Sequence, residues 1–117
     1  MGGVKRGEIW VGNLNPSRGR EIGKIRPALI VQADSLIKAD TGTIVVLPLT
    51  TKIRSGMRHY RVTLKAREKL RSDCQVVVDH PRTLDSTRFG EGPLATLTSD
   101  EMARIERALL AVLGMYR

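Results

Sequence analysis

The sequence has very few of the side chains on which metal, redox and base-stacking sites depend. Of its 117 residues, one is a cysteine, Cys74, and two are histidines, His59 and His80. A single cysteine cannot form an intrachain disulfide, and two histidines without cysteine partners do not make a zinc site. Cys74 leads into the apolar run 76–78, so we expect a small core residue rather than a nucleophile. The sequence therefore predicts no metal and no cofactor.

Aromatic residues and long apolar runs are also scarce. Phe, Trp and Tyr make up 3% of the chain, so stacking of bases on exposed rings is a minor option. Trp10 lies in a strand pattern that predicts a core position. No apolar run approaches the roughly 20 residues of a membrane span, and the first six residues lack the apolar segment of a signal peptide. We expect a cytoplasmic protein without a membrane partner.

Positive charge is what the sequence has in excess. The formal net charge is +8 and the pI about 10.4. Residues 1–71 hold 15 cations and 5 anions, whereas residues 72–117 hold 5 cations and 7 anions. A concentrated basic surface attracts polyanions at long range. The charge therefore favours a nucleic acid or an acidic protein segment as partner over a cationic surface that binds nothing.

Short strand patterns separated by turn formers fill most of the chain, which is long enough for a single domain over residues 1–117. Pro48 predicts a sheet edge or the end of a ladder, residues 33–40 predict one or two helical turns, and residues 65–71 a helical turn on a solvated face. The order predicts a mainly β, α+β fold, namely a small bent antiparallel sheet or partly open barrel with a C-terminal helix. The predicted strands are 8–11, 26–32, 43–49, 58–64, 74–78 and 93–97, and the short segment 81–84 makes the count six or seven.

The C-terminal part of the chain predicts the only long helix. Thr98 and Glu101 have the spacing of a capping box, and Gly114 is placed to end the helix. Apolar residues recur at three-to-four spacing between them, which favours packing on the sheet over a ligand site. These residues are Met102, Ile105, Leu109, Val112 and Leu113.

Two strand ends together give the strongest candidate for a binding site. Arg26 opens one buried strand below the polar loop 17–24, and Thr50 follows the strand 43–49. If these strands are antiparallel neighbours, the start of one meets the end of the other, so Arg26 and Thr50 share one rim. A guanidinium can bind a phosphate through two N–H groups, and a threonine hydroxyl adds a neutral donor. Such a pair suits a phosphodiester whose charge rises in the transition state.

RNA is a suitable substrate for this rim because its own 2′-OH can attack the adjacent phosphorus. The protein then supplies positioning, charge stabilisation and a proton acceptor. Glu21, in the loop before Arg26, is the best-placed acid or base, whereas a guanidinium loses its proton only above about pH 12, which gives Arg26 an electrostatic role. The alternative interpretation is an ordinary Arg26–Glu21 salt bridge and a Thr50 that merely ends a strand.

Six short blocks follow one another in a specific order from about Lys5 to the end of the predicted helix. They are Gly7–Val11, Asn15–Ser17, Gly19–Glu21, Arg26–Val31, Val46–Thr51 and Asp79–Asp85. Each block alone is weak, but together they resemble the MazF/PemK (Kid) family of type II toxin–antitoxin toxins over nearly the whole chain.

The resemblance implies a fold, an activity and partners. The fold is an SH3-like or CcdB-like barrel that forms a homodimer. The activity is that of a metal-independent, sequence-specific endoribonuclease toxin (an mRNA interferase), which cuts single-stranded RNA to leave a 2′,3′-cyclic phosphate and a 5′-OH. The RNA lies in a groove at the dimer interface, which an acidic antitoxin segment also occupies. The family's arginine, threonine and loop glutamate map onto Arg26, Thr50 and Glu21.

The basic and polar loops supply further candidates for RNA contacts. Asp79 maps onto a carboxylate of the Kid branch, but Arg20 and Val77 stand where that branch has a histidine and an arginine, so an Arg–Thr site fits this chain better. We expect phosphate contacts from cationic side chains and base selection from uncharged ones. The cationic candidates are Arg18, Arg20, Lys24, Lys52, Arg54 and Arg82, and the uncharged candidates are Asn13, Asn15, Ser17 and Thr51.

Two other functions are compatible with the same scaffold. One is a CcdB-like toxin that acts on gyrase without cleaving RNA, and the other is a basic barrel that binds RNA or a protein without turnover. Fold alone does not decide among the three. Arg26, Thr50 and the basic loops favour the nuclease.

Overall fold

In the computed structural model, which describes residues 3–57 and 60–115, seven strands form one antiparallel sheet. This confirms the predicted mainly β fold with a C-terminal helix. The strands are β1 (Glu8–Asn13), β2 (Ile25–Ile30), β3 (Thr43–Thr50), β4 (Arg61–Leu64), β5 (Cys74–Val77), β6 (Arg82–Asp85) and β7 (Ala95–Thr96). The helices are α1 (Asp34–Lys38) and α2 (Ser99–Val112), with 3₁₀ turns at Ser55–Met57 and Ser86–Arg88.

The strand β3 is central to the sheet. On one edge it pairs with β2, and Ala28 lies opposite Pro48. On the other edge β6 pairs with residues 43–46, and β5 pairs with Leu49 and Thr50. The prediction that Pro48 marks a sheet edge is therefore wrong, because β3 has neighbours on both sides. The prediction that a ladder ends there is confirmed, since Ala28–Pro48 is the last pair with β2.

The sheet separates two hydrophobic clusters because β2 and β3 are buried on both faces. Leu29 and Leu47 face the first cluster, which α2 covers with Met102 and Ile105. Ile30, on the opposite face of β2, belongs to the second cluster. Nearly continuous apolar runs are typical of strands buried on both sides, which is why these two strands were the clearest in the sequence.

The capping box of α2 is present as predicted. The Thr98 hydroxyl accepts from the Glu101 N–H at 3.2 Å, and Glu101 Oε1 accepts from the Thr98 N–H at 2.9 Å. Gly114 has a φ of +72°, which lets the chain leave the helix without strain. The predicted packing of Leu113 is wrong: the helix ends at Val112, and Leu113 is 54% exposed.

Two other predicted elements differ in the structure. Residues 65–71 form a tight turn in which Arg67 and Leu70 pair, and the positive φ of Glu68 (49°) is incompatible with a helical turn. The predicted strand 58–64 begins at Arg61, and its first two residues lie outside the described part of the chain. No helix in residues 3–57 or 60–115 is both long and apolar enough to cross a membrane.

Trp10 lies at the margin of the second cluster and is half-buried, so the predicted core position is only partly correct. Its indole N–H donates to Glu8 Oε1 at 3.0 Å. Gly92 packs against the ring so closely that an added Cβ would lie 2.3 Å from Trp10 Cδ2. The Trp10 ring is thus held between its hydrogen bond to Glu8 and the backbone at Gly92, where any side chain would clash with the ring.

A largely buried ion pair joins the turn 67–70 to the start of α2. Arg67 Nη1 lies 2.7 Å from Glu101 Oε1, and the Glu101 side chain is 13% exposed. The hydrogen bond from Arg67 lowers the pKa of Glu101 to about 2, with a further contribution from the Thr98 N–H. A carboxyl whose pKa falls on folding stabilises the folded state at neutral pH, and this contribution is lost as the pH falls through the folded value.

Substitution of Glu101 should isolate the ion pair, because Glu101→Gln keeps a side-chain oxygen for the capping box. We expect the free energy of unfolding to fall by about 1–2 kcal/mol at pH 7. The difference from wild type should shrink as the pH falls from about 4.5 to about 2, because the unfolded chain takes up a proton at Glu101 near the ordinary pKa, whereas the folded state keeps the charge until about pH 2. Urea unfolding followed by circular dichroism measures both quantities.

Glu106→Gln is the matched control, because Glu106 pairs with Arg6 at the surface and its side chain is 51% exposed. Surface pairs contribute between 0 and about 1 kcal/mol, so this variant should differ little from wild type. A loss in Glu101→Gln that stays the same at every pH would contradict the assigned contribution.

Candidate nucleic-acid interface and active site

Arg26 lies beside the end of β3, where Thr50 is found. Continuing the β2–β3 register by two residues sets Arg26 opposite Thr50. Arg26 Nε donates to the Gly23 carbonyl at 2.9 Å, and Nη1 approaches the Leu49 carbonyl at 3.5 Å. The structure thus brings Arg26 and the end of β3 to one rim of the sheet, which we call the Arg26–Thr50 rim.

The two side chains of this rim present hydrogen-bond donors. Arg26 is half-buried, and two of its five N–H groups contact backbone carbonyls, so three are left over within the described part of the chain. The Thr50 hydroxyl oxygen accepts from the Lys52 N–H at 3.1 Å, which leaves its own hydrogen available. In the described ranges, Arg26 and Glu21 form no ion pair within 4.0 Å. The rim therefore suits an anionic ligand.

Arg82 anchors the loop 14–24 next to this rim. Its guanidinium donates to three carbonyls of the loop, those of Leu14, Pro16 and Ile22. We predicted a phosphate contact for Arg82 from the sequence. The structure places the side chain against the loop backbone, so its role in shaping the loop is one that the sequence did not indicate.

Polar side chains close the same loop from within. Arg88 donates to the carbonyls of Asn13 and Asn15. Asn13 Oδ1 accepts from the Asn15 N–H at 3.0 Å, and Asn15 Oδ1 accepts from the Lys24 N–H at 2.8 Å. Asn13, Asn15 and Lys24 are all exposed, so their side chains border solvent while they order the backbone.

Glu21 belongs to a turn at the tip of the loop. Glu21 Oε1 accepts from the Arg18 N–H at 2.7 Å, and the Glu21 N–H donates to the Arg18 carbonyl at 3.1 Å. The turn leaves Ser17, Arg18 and Arg20 exposed. One carboxylate oxygen of Glu21 is thus used to hold the turn, and the other is available for a ligand.

A charged cleft of about 540 Å³ opens on one side of the rim. Arg20 and Glu21 come from the loop, and Asp79 and His80 come from the turn after β5. His80 Nε2 lies 3.8 Å from Asp79 Oδ2. Pro48, on the same face of the sheet as Arg26 and Thr50 in the β2–β3 register, also lines the cleft. The full lining is Arg20, Glu21, Ile22, Pro48, Asp79, His80, Pro81, Arg82 and Thr83.

An apolar pocket of about 180 Å³ lies on the other side of the rim. The turn that the sequence predicted to be a solvated face forms one wall, with Lys69 and Arg71 exposed to solvent. Burial raises the pKa of the Cys74 thiol to about 11, which confirms a core residue rather than a nucleophile. The lining is Pro27, Leu49, Thr50, Thr51, Lys69, Leu70, Arg71, Ser72, Cys74 and Leu94.

Gln75 fixes the basic loop that follows β3. It is the one polar residue of residues 3–57 and 60–115 that is fully buried. Its Oε1 accepts from the Arg54 N–H at 3.0 Å, and its Nε2 donates to the Arg54 carbonyl at 3.3 Å and to the Thr63 hydroxyl at 3.1 Å. The backbone of Arg54 is therefore held on both sides, while the side chains of Thr51, Lys52 and Arg54 remain exposed.

Of the predicted site residues, Arg20, Glu21, Asp79 and Arg82 line the cleft, Thr50 and Thr51 line the apolar pocket, and Arg26 lies beside the end of β3. The guanidinium of Arg82 also holds the loop backbone. The structure also adds His80 and Thr83 of the cleft and the buried Gln75, none of which the sequence singled out as site residues. Of these three residues, only His80 had a signal in the sequence, namely its position directly after Asp79. Among the described residues, no group of three or more His, Cys, Asp or Glu side chains is arranged to hold a metal ion.

Known proteins resemble this chain in both sequence and fold. Residues 5–113 match the family described as PemK-like, MazF-like toxin of type II toxin–antitoxin system. The curated protein Endoribonuclease MazF of Staphylococcus saprophyticus is 31% identical over 114 residues, which cover 97% of this chain and 93% of that protein.

Solved structures agree with the sequence match. The crystal structure of MazF from Deinococcus radiodurans has a TM-score of 0.80 at 29% identity and covers 96% of this chain and 97% of that chain. A MazE–MazF crystal structure from the same organism has a TM-score of 0.72 at 30% identity and covers 96% of each chain.

Removal of the Arg82 guanidinium should loosen the loop 14–24. In Arg82→Gln we expect backbone amides of this loop to exchange about tenfold faster or more, because three carbonyls lose their charged donor. Hydrogen exchange followed by mass spectrometry or NMR measures this. Arg104→Gln, on the exposed face of α2, is the control and should leave the loop unchanged. Unaltered exchange in Arg82→Gln would show that the anchor is unnecessary.

Proposed function

Because the chain belongs to the PemK-like, MazF-like toxins of type II toxin–antitoxin systems, we propose that it is an endoribonuclease. Its substrate is single-stranded RNA, chiefly mRNA, which it cleaves at short sequence motifs without a metal ion. The single observation that carries this proposal is the Arg26–Thr50 rim. There the hydrogen-bond donors of Arg26 and Thr50 lie between a charged cleft and an apolar pocket. The name of the Staphylococcus saprophyticus relative, an endoribonuclease, supports it.

The proposed reaction uses the 2′-OH of the RNA as its nucleophile. The O2′–P bond forms as the P–O5′ bond breaks, so the products end in a 2′,3′-cyclic phosphate and a 5′-OH. The free N–H groups of Arg26 bind the nonbridging oxygens, whose charge grows in the transition state, and the Thr50 hydroxyl adds a neutral donor. Glu21 accepts the 2′-OH proton, for which it has one carboxylate oxygen available.

Exposed cations on both sides of the rim would hold the rest of the RNA. Arg18, Arg20 and Lys24 lie in the loop before β2, and Lys52 and Arg54 in the loop after β3. Cations along the backbone path give affinity without sequence information, whereas polar side chains at base edges give selection. The side chains that we propose for base selection are Asn13, Asn15, Ser17 and Thr51, and we propose Asp79, which lines the cleft, as a further RNA contact.

An acidic antitoxin and a second copy of the chain are the proposed protein partners. The MazE–MazF structure from Deinococcus radiodurans supports the first. Acidic, partly disordered segments complement a basic groove and fold as they bind. Exposed apolar side chains at the end of α2, Leu110, Leu113 and Met115, are 41%, 54% and 61% exposed and would suit burial against a protein.

Arg26→Ala should reduce cleavage of a long single-stranded RNA in EDTA by at least about 100-fold, because the main charge-stabilising group is lost. Thr50→Val should give a smaller loss, since a neutral donor contributes less than a charged one. Cleavage is measured by sequencing the cut ends and by testing them for cyclic phosphate.

The control for this experiment is Arg104→Ala, an exposed arginine on α2 outside the site. It should cut like wild type, and circular dichroism should show all three variants folded. Full activity in folded Arg26→Ala would sink the proposed site. Products that end in a 3′-OH would rule out attack by the 2′-OH.

Binding of RNA should depend steeply on salt. For single-stranded RNA, each lost phosphate contact makes the negative slope of log K against log salt shallower by about 0.7. The slope of the double variant Arg18→Gln, Lys52→Gln should therefore be shallower by about 1.4. Fluorescence anisotropy with a 2′-O-methyl RNA, which cannot be cut, measures it. Lys38→Gln, at the end of α1, is the control. An unchanged slope in the double variant would remove both residues from the RNA path.

A further inference from the structure

His80 is the one imidazole in residues 3–57 and 60–115, and it lies in the charged cleft beside the Arg26–Thr50 rim. His80 lies in the turn between β5 and β6, where its backbone N–H donates to the Val77 carbonyl at 3.2 Å. Its side chain is 31% exposed. The backbone of His80 is therefore fixed by the turn, and its imidazole is accessible to a ligand in the cleft.

The charged groups around His80 come from every wall of the cleft. Asp79 Oδ2 lies 3.8 Å from His80 Nε2, within reach of an ion pair when the imidazole is protonated. The loop 14–24 contributes Arg20 and Glu21, and β6 contributes Arg82, whose guanidinium is engaged by loop carbonyls. The remaining lining residues, including Pro48 of β3, are uncharged. Asp79 is thus the one acidic side chain within 4.0 Å of the His80 imidazole among the described residues.

Cleavage by a 2′-OH requires two proton transfers. The proposed function assigns one of them, since Glu21 accepts the proton of the attacking hydroxyl. The 5′-oxygen must also gain a proton as it leaves, because a free alkoxide is a poor leaving group. A carboxylate that is ionised at neutral pH cannot supply that proton, whereas an imidazole changes protonation between about pH 5 and 8.

We propose that His80, paired with Asp79, is the general acid that protonates the leaving 5′-oxygen. This inference rests on the proposed function. As the O2′–P bond forms, the 2′-OH proton passes to Glu21. As the P–O5′ bond breaks, the His80 imidazolium transfers its proton to O5′. Exchange with water then returns Glu21 and His80 to their starting protonation states.

A substrate whose leaving group needs no proton separates this role from a structural one. In a 5′-bridging phosphorothiolate RNA, sulfur replaces O5′ at the mapped cleavage site, and a thiolate leaves without general acid. On the all-oxygen RNA we expect His80→Gln to be slower by about 100-fold or more. On the phosphorothiolate RNA the same variant should cut within a few-fold of wild type.

The pH dependence gives a second measurement. The wild-type kcat/KM on all-oxygen RNA should fall as the pH rises through the range in which imidazoles titrate, about pH 5–8, and His80→Gln should lack this fall. Arg104→Gln should show the wild-type profile. Binding of 2′-O-methyl RNA should be unchanged in His80→Gln, which shows that the variant is folded and that the cleft still accepts RNA.

Three outcomes would overturn the proposal. Equal losses on both RNAs, or a fall in kcat/KM at high pH that persists in His80→Gln, would remove the general-acid role. If Arg26 were still required in that case, the proposed endoribonuclease would stand. A wild-type protein that cuts neither RNA at any pH would overturn the proposed function and the general-acid role together.

Discussion

The antiparallel register between β2 and β3 is the constraint on which the rest of the molecule depends. It sets Arg26 opposite Thr50, and it sends Leu29 and Ala28 to different hydrophobic clusters. A slip by one residue would exchange the two faces of a strand. Because β2 is buried on both faces, the slip would send its apolar side chains to the wrong clusters and would move Arg26 away from Thr50. The packing of the two hydrophobic clusters and the geometry of the Arg26–Thr50 rim therefore both depend on the β2–β3 ladder.

Local patterns in the sequence were sufficient for much of this arrangement. The capping box at Thr98 involves residues three apart, so no tertiary information was needed to place the helix. The strands β2 and β3 were clear because burial on both faces requires continuous apolar runs. The adjacency of Arg26 and Thr50 followed from one further assumption, that successive strands pair, which is the common outcome in small sheets.

The features that the sequence did not indicate depend on contacts between distant segments. The residue type of an arginine does not indicate whether it binds a phosphate or a carbonyl, and the acceptors of Arg82 lie 60 to 68 positions away in the sequence. His80 gained significance only when the loop 14–24 came to lie across the cleft from its turn. The residue with positive φ in the tight turn is Glu68 and not a glycine, so the residue type does not predict the turn. In each case the partner, and not the residue type, sets the role.

Pro48 has a consequence for how the chain avoids incorrect pairing. The strands β6 and β5 use the same edge of β3 in succession, β6 up to Val46 and β5 from Leu49. Between them stands a residue that has no N–H to donate. If either strand extended its ladder along that edge, it would reach a position where a hydrogen bond cannot form. The missing N–H of Pro48 thus separates the β6 ladder from the β5 ladder. One central strand can therefore pair with both strands without either replacing the other.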